Sequence, residues 1–189
     1  MTLMSLDAQT RTSLLRIARS AIESELFGAP PASTNAGLAT LPAAGAFVTL
    51  RKRGQLRGCI GTFDTSRGLI ETIRTMAVSA AHDPRFAHCP IGAAEFADID
   101  IELSILSPLE RIQNPLDFEL GRHGILVRSG VHSGCFLPDV ATERKWTREQ
   151  FLDECCSQKA GMGKGGWRKP NCEVFVFTVE KIHERQEAH

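Results

Sequence analysis

The chain has 189 residues, 42% hydrophobic and 23% charged, and its 22 basic side chains balance 22 acidic ones. That suits one folded domain with a sizeable core, or two lobes sharing one, and argues against a surface built to coat nucleic acid or an anionic membrane, leaving only a local basic patch for nucleic acid. No apolar run reaches the ~18 residues of a membrane span, and Met1–Asp7 lacks the basic and apolar regions of a secretory signal. The expected location is the cytoplasm, where cysteines 59, 89, 135, 155, 156 and 172 stay reduced.

Residues 7–27 read as a helix. Asp7 caps it, Leu14, Ala18, Ala21, Ile22 and Leu26 form an apolar stripe, and Gly28 with Pro30-Pro31 stops it. Residues 28–45, rich in Ala, Gly, Pro and Thr, read as a surface connection. Phe47–Leu50 and Leu56–Phe63 pair as a hairpin around Arg53-Gly54-Gln55, with Gly54 suited to positive φ. A second helix starts at Thr65 or Ser66, buries Leu69, Ile70, Ile73, Met76, Ala77 and Ala80, and ends at Asp83-Pro84. Residues 98–106 alternate as a strand, with Ile99, Ile101, Leu103 and Ile105 on one face and Asp100, Glu102 and Ser104 on the other. Another hairpin spans 124–137. Thr147 and Gln150 spell a capping box for a helix to about Lys159, with Gly161 as its cap, and residues 172–180 read as a closing strand. Hairpins this frequent predict an α+β fold with mixed, largely antiparallel sheets and flanking helices.

The chemistry concentrates at Leu56–Phe63. Gly58 and Gly61 flank Cys59-Ile60, and the missing Cβ atoms would let another molecule approach the backbone. Arg57, two residues before Cys59, shares its face of a regular strand and brings a cation to the thiol. The plainer reading is a small buried strand cysteine. Arg85 follows Pro84 at a rigid corner. It pairs with a carboxylate, or it holds an anionic ligand while Glu102 acts as acid, base or ligand partner. His123 is a base or hydrogen-bond donor, or a turn histidine on a backbone carbonyl. His132 falls in a turn and reads as solvated.

Other patterns carry less. His82, Asp83, His88 and Cys89 are too irregularly spaced for a metal site, no Cys-x-x-Cys occurs, and no metal or cofactor is called for. On a helix, Cys155-Cys156 would have one member buried and one half-exposed. Gly161–Gly166 matches G-x-G-x-x-G but follows a helix instead of a strand, so it reads as a flexible basic loop in which Lys159, Lys164, Arg168 and Lys169 meet an anion or acidic partner.

Taken together, Ala46–Leu50, Leu56–Phe63, Asp83–Phe86, Ile101–Pro108, Gly121–Gly124, Leu137–Ala141, Trp146, Phe151-Leu152 and Lys159–Gly161 resemble the AMME-syndrome chromosomal-region family, known in prokaryotes as AmmeMemoRadiSam system protein A. The resemblance covers about residues 11–180. It implies a single domain over 1–189 made of two interleaved subdomains around a cleft. It also implies partnership with a Memo-like protein and a radical S-adenosylmethionine protein, beside metal-radical chemistry that modifies RNA or protein. Asp139 stands where the family has glutamine after Leu-Pro. The expected site is a ligand or substrate cleft centred on Cys59. In an enzyme, Cys59 is the nucleophile or acceptor thiol and Glu102 or His123 handles protons, while Arg57, Gly58, Gly61, Arg85 and Lys159 meet the ligand. The alternative is a non-catalytic binding or adaptor module that docks through the same segment.

Overall fold

The computed structural model describes residues 6–33, 38 and 41–184. The reading of the first five residues, and of 34–37, 39 and 40 in the 28–45 connection, lies outside them. The described chain forms two compact units, one from residues 6–106 completed by 180–184, the other from 107–179.

The first unit opens with α1 (Ala8–Phe27). The Thr10 N–H donates to the Asp7 carboxylate at 2.7 Å, and Gly28, at φ 70°, closes the other end in the left-handed region. Strands β1 (Gly45–Lys52) and β2 (Gln55–Thr62) form the expected hairpin. Its turn needs positive φ at both Arg53 (49°) and Gly54 (81°), the handedness that matches strand twist. Helix α2 (Leu69–Ala81) begins after Gly68, later than Thr65 or Ser66. Asp64 accepts from the Ser66 N–H and Thr62 from the Asp64 N–H, which commits those residues to turns. A 3₁₀ turn (Pro84–Phe86), α3 (Ala93–Phe96) and β3 (Ile99–Leu106) follow. The alternation in β3 buries Ile99, Ile101, Leu103 and Ile105 as predicted. Together with Val48 and Leu50 they form the sheet face that α1 and α2 cover.

The second unit carries β4 (Glu110–Ile112), β5 (Gly124–Ser129), β6 (His132–Phe136), α4 (Pro138–Arg144), α5 (Arg148–Glu154) and β7 (Glu173–Phe177). The sheet order is β4-β7-β5-β6, and Phe136 stacks on Phe151 at 5.7 Å within its core. The Thr147–Gln150 capping box is complete and contributes about 1 kcal/mol. Helix α5 continues as a π-helical turn over Cys155–Lys159. This wider turn leaves both Cys155 and Cys156 at 0% exposure, where one was expected half-exposed.

Two further expectations need correction. The 161–169 loop is pinned: Asp153 accepts from the Gly165 N–H at 2.8 Å and the Trp167 indole at 2.7 Å, and Lys164 pairs with Glu154. The closing strand is two strands. β7 ends before Thr178, whose N–H donates to Ser107 Oγ while its carbonyl accepts the Ser107 N–H, each at 2.9 Å. Then β8 (Val179–His183) joins the other sheet, whose order is β2-β1-β3-β8. The architecture is α+β, with two four-stranded sheets. Among the described residues no helix is long and apolar enough to cross a membrane.

Replacing Arg53 by glycine removes a left-handed L-residue and, among the described residues, an exposed 3.7 Å pair with Asp98. Arg53→Gly is expected to stabilise by about 1 kcal/mol. A urea midpoint that stays put or falls would contradict the turn assignment.

Candidate functional site

Strand β2 lies at the edge of its sheet. In an antiparallel pair, alternate residues turn their N–H and C=O away from the neighbouring strand while their side chains draw close. Cys59, opposite Thr49, fits such a position. The Thr49 hydroxyl donates to Cys59 Sγ at 3.3 Å. The backbone of Cys59 points to the segment after α2. Its N–H donates to Asp83 Oδ2 at 2.9 Å, and its carbonyl accepts from Arg85 Nη2 at 3.0 Å. Arg85 also forks onto Asp83, Nε to Oδ1 at 3.0 Å and Nη2 to Oδ2 at 2.6 Å. The Asp83 side chain is 1% exposed, that of Arg85 58%. The Arg85 fork, with the Cys59 and Arg85 N–H groups, holds the Asp83 carboxyl well below the usual carboxylate range despite burial. Arg85 thus has a carboxylate partner, but it is Asp83 and not Glu102.

The motif glycines are filled from within the chain. A Cβ on Gly58 would stand 2.0 Å from the Ala80 carbonyl oxygen at the end of α2, and one on Gly61 would stand 2.1 Å from the Phe47 ring. Packing alone requires both glycines.

Arg57 departs from the regular-strand expectation. The β1–β2 register shifts between Leu50, opposite Gly58, and Arg51, opposite Leu56, so Arg57 is the extra residue of a bulge in β2. Its guanidinium forks onto Glu95, Nε to Oε1 at 2.6 Å and Nη2 to Oε2 at 3.1 Å, instead of meeting Cys59. Its hydrogen bond holds the Glu95 carboxyl below its usual range.

The register also sets Glu102 opposite Thr49, on the far side from Cys59. Cys59, Thr49 and Glu102 therefore form one row across three strands. Glu102 Oε2 lies 3.5 Å from His183 Nδ1 on β8 and 3.9 Å from Arg51 Nε. Sequence reasoning missed Asp83 as the anchor of Cys59, and it missed His183. Nothing local marks His183, which reaches the row through the β3–β8 neighbourhood. At one strand spacing each, the backbones of Cys59 and Glu102 stand ~10 Å apart.

His123 and Lys159 lie in the second unit. His123 Nδ1 accepts the Glu119 N–H at 3.0 Å, so the neutral ring carries its proton on Nε2; burial, and then Arg122, lowers its pKa. The turn partner is therefore a backbone N–H and not a carbonyl. The Lys159 ammonium lies 5.6 Å from the Phe136 ring centre. His132 is exposed, as expected, and its Nδ1 lies 3.2 Å from the Ala160 carbonyl oxygen. All six cysteines are free thiols. Burial pushes the Cys156 thiol up to about 11 and raises those of Cys135, Cys155 and Cys172 as well. Among the described residues no three His, Cys, Asp or Glu side chains are grouped to hold a metal ion.

Two predictions follow from this geometry. Gly58→Ala should cost about 3 kcal/mol in a urea titration, because the Ala80 carbonyl cannot yield. A neutral result would refute the tight contact with α2. Asp83→Asn should cost about 2 kcal/mol at neutral pH. Because the folded pKa of Asp83 is depressed, its contribution is full above the unfolded value of ~3.9 and is lost as pH falls below it. The stability gap between wild type and Asp83→Asn should therefore close below about pH 4; a gap independent of pH would exclude the carboxylate as its source.

Comparison with known proteins adds one family. The AMMECR1 model matches residues 15–182. Protein MK0488 of Methanopyrus kandleri is 40% identical over 151 residues, 75% of this chain and 72% of that one. A protein of Methanothermobacter thermautotrophicus is 38% identical over 91% of this chain and 93% of its own. The crystal structure of the uncharacterized protein PH0010 from Pyrococcus horikoshii superposes with a TM-score of 0.79 at 34% identity, covering 94% and 93% of the two chains. With a family model spanning nearly all of it and relatives this similar end to end, the chain belongs to the AMMECR1 family.

Proposed function

We propose that this protein is a binding module whose site is the polar face of the first unit's sheet, with Cys59, Glu102 and His183 as the contacting groups. The observation that carries the reading is the row itself, a thiol, a hydroxyl and a carboxylate in register on three adjacent strands, with the His183 imidazole of the fourth strand beside the carboxylate. The Glu102 side chain is only 15% exposed, so what reaches it is a small polar ligand or a protruding chain segment, not a flat surface. The Memo-like and radical S-adenosylmethionine proteins implied by the family resemblance are the partners proposed to bring it. Gly58, Gly61 and Arg85 support the site from behind by fixing the Cys59 backbone, and Arg57 is committed to Glu95.

A catalytic version has one supporting observation, the Thr49 hydroxyl that orients Cys59 Sγ. Cys59 would be the nucleophile, and the Glu102–His183 pair would exchange protons with the far end of a substrate lying across Thr49.

The test is alkylation of Cys59 by iodoacetamide, read by peptide mass spectrometry, with and without the purified partner proteins. A partner should slow Cys59 about tenfold, and Glu102→Ala should remove that protection, as loss of ~1.4 kcal/mol of binding would. A Cys59 rate indifferent to both partners, or protection that survives Glu102→Ala, overturns the reading. Cys59→Ala that retains the biological role excludes the catalytic version only.

A further inference from the structure

A pocket of about 650 Å³ opens on the first unit beside the hairpin turn, lined by Lys52, Arg53, Arg57, Phe86, Cys89 and Glu95 among others. Its size falls in the range of small-molecule sites, ~300–1,000 Å³. Three cations face one carboxylate. Glu95 takes the Arg57 fork and lies 3.6 Å from Lys52, and Arg53 lies 3.7 Å from the exposed Asp98, which stands outside the lining. A net positive lining therefore remains. The thiol of Cys89, itself exposed, is held at the pocket wall by Arg57: Nη1 donates to Sγ at 3.4 Å and Nη2 to the Cys89 carbonyl at 2.7 Å. Phe86, 5.6 Å from the Arg57 guanidinium, supplies an apolar patch.

We propose that this pocket takes an anionic, carboxylate-bearing low-molecular-weight disulfide, with Cys89 as the thiol that exchanges with it. The cations select the carboxylates, and the fixed sulfur selects a sulfur electrophile. In the step, Cys89 Sγ attacks one sulfur of the disulfide. The S–S bond breaks, and its electron pair leaves on the other sulfur, which takes the proton given up by the Cys89 thiol. Cys89 is oxidised to the mixed disulfide and half of the reagent is reduced to a free thiol. The inference is independent of the reading of the Cys59 face.

The experiment compares exchange at Cys89 with glutathione disulfide and with neutral hydroxyethyl disulfide, scored by quenched peptide mass spectrometry. A cysteine amide in solution gives the reference ratio. The anionic-to-neutral rate ratio at Cys89 is expected about tenfold above that reference at low salt, as a cationic cleft concentrates an anion. It should fall toward the reference in about 0.5 M salt. Lys52→Gln with Arg53→Gln should do the same while leaving the neutral rate within about twofold. A ratio equal to the reference, a ratio insensitive to the double substitution, or a Cys89 silent toward both reagents overturns the proposal.

Discussion

One buried carboxylate organises the first unit. An edge strand exposes a row of backbone groups that would otherwise recruit another strand. At Cys59, Asp83 takes the N–H and Arg85 serves the C=O, so a side-chain pair stands where a neighbouring strand's backbone would. Burying Asp83 is tolerable because Arg85 and two backbone N–H groups meet it, and Arg85 can keep most of its own surface in water. The arrangement joins the Asp-Pro-Arg-Phe corner to the Leu-Arg-Gly-Cys-Ile-Gly strand and thereby sets the end of α2 against β2.

From that anchor the glycines follow. Once the corner after α2 is tied to Cys59, the adjacent residue faces the last turn of α2 at a separation where only hydrogen fits, and Gly58 is the consequence. Gly61, three residues further and on the other face, lies under Phe47, which meets Phe63 edge-on at 6.0 Å. A bulky substitution at either glycine would test packing before it tested any ligand. The thiols are sorted by the same packing. Burial raises the pKa of the four thiols in the second unit, while in the first unit Cys59 is half-buried and Cys89 exposed.

Periodicity and caps made much of this fold legible. The α1 stripe between Asp7 and Gly28, the alternation of β3 and the Thr147 capping box are local signals, and local signals survive folding. What escaped was not local. Strand β4 has three residues, too few to show a period. The break at Thr178 has no proline or glycine to announce it; it arises from reciprocal hydrogen bonds with distant Ser107. The shared face of Arg57 and Cys59 assumed a regular strand, and a bulge removed that premise. Cys59 was found through its neighbours in sequence, while Asp83 and His183, which define its surroundings in space, come from other segments.

The distinction bears on how a motif implies function. Within Leu56–Thr62 the Cys59 backbone is tied to Asp83 and Arg85, both glycines are filled, and Arg57 is paired with Glu95. The chemistry left over is therefore carried by side chains that the motif positions: Sγ of Cys59 toward Thr49, and Glu102 with His183 beyond it. Two strand spacings, ~10 Å between the Cys59 and Glu102 backbones, suit a ligand group lying across Thr49. A thiol at one end and a charged pair at the other would read that group by length as well as by polarity. Register between strands, rather than any single residue, would then set what this face accepts.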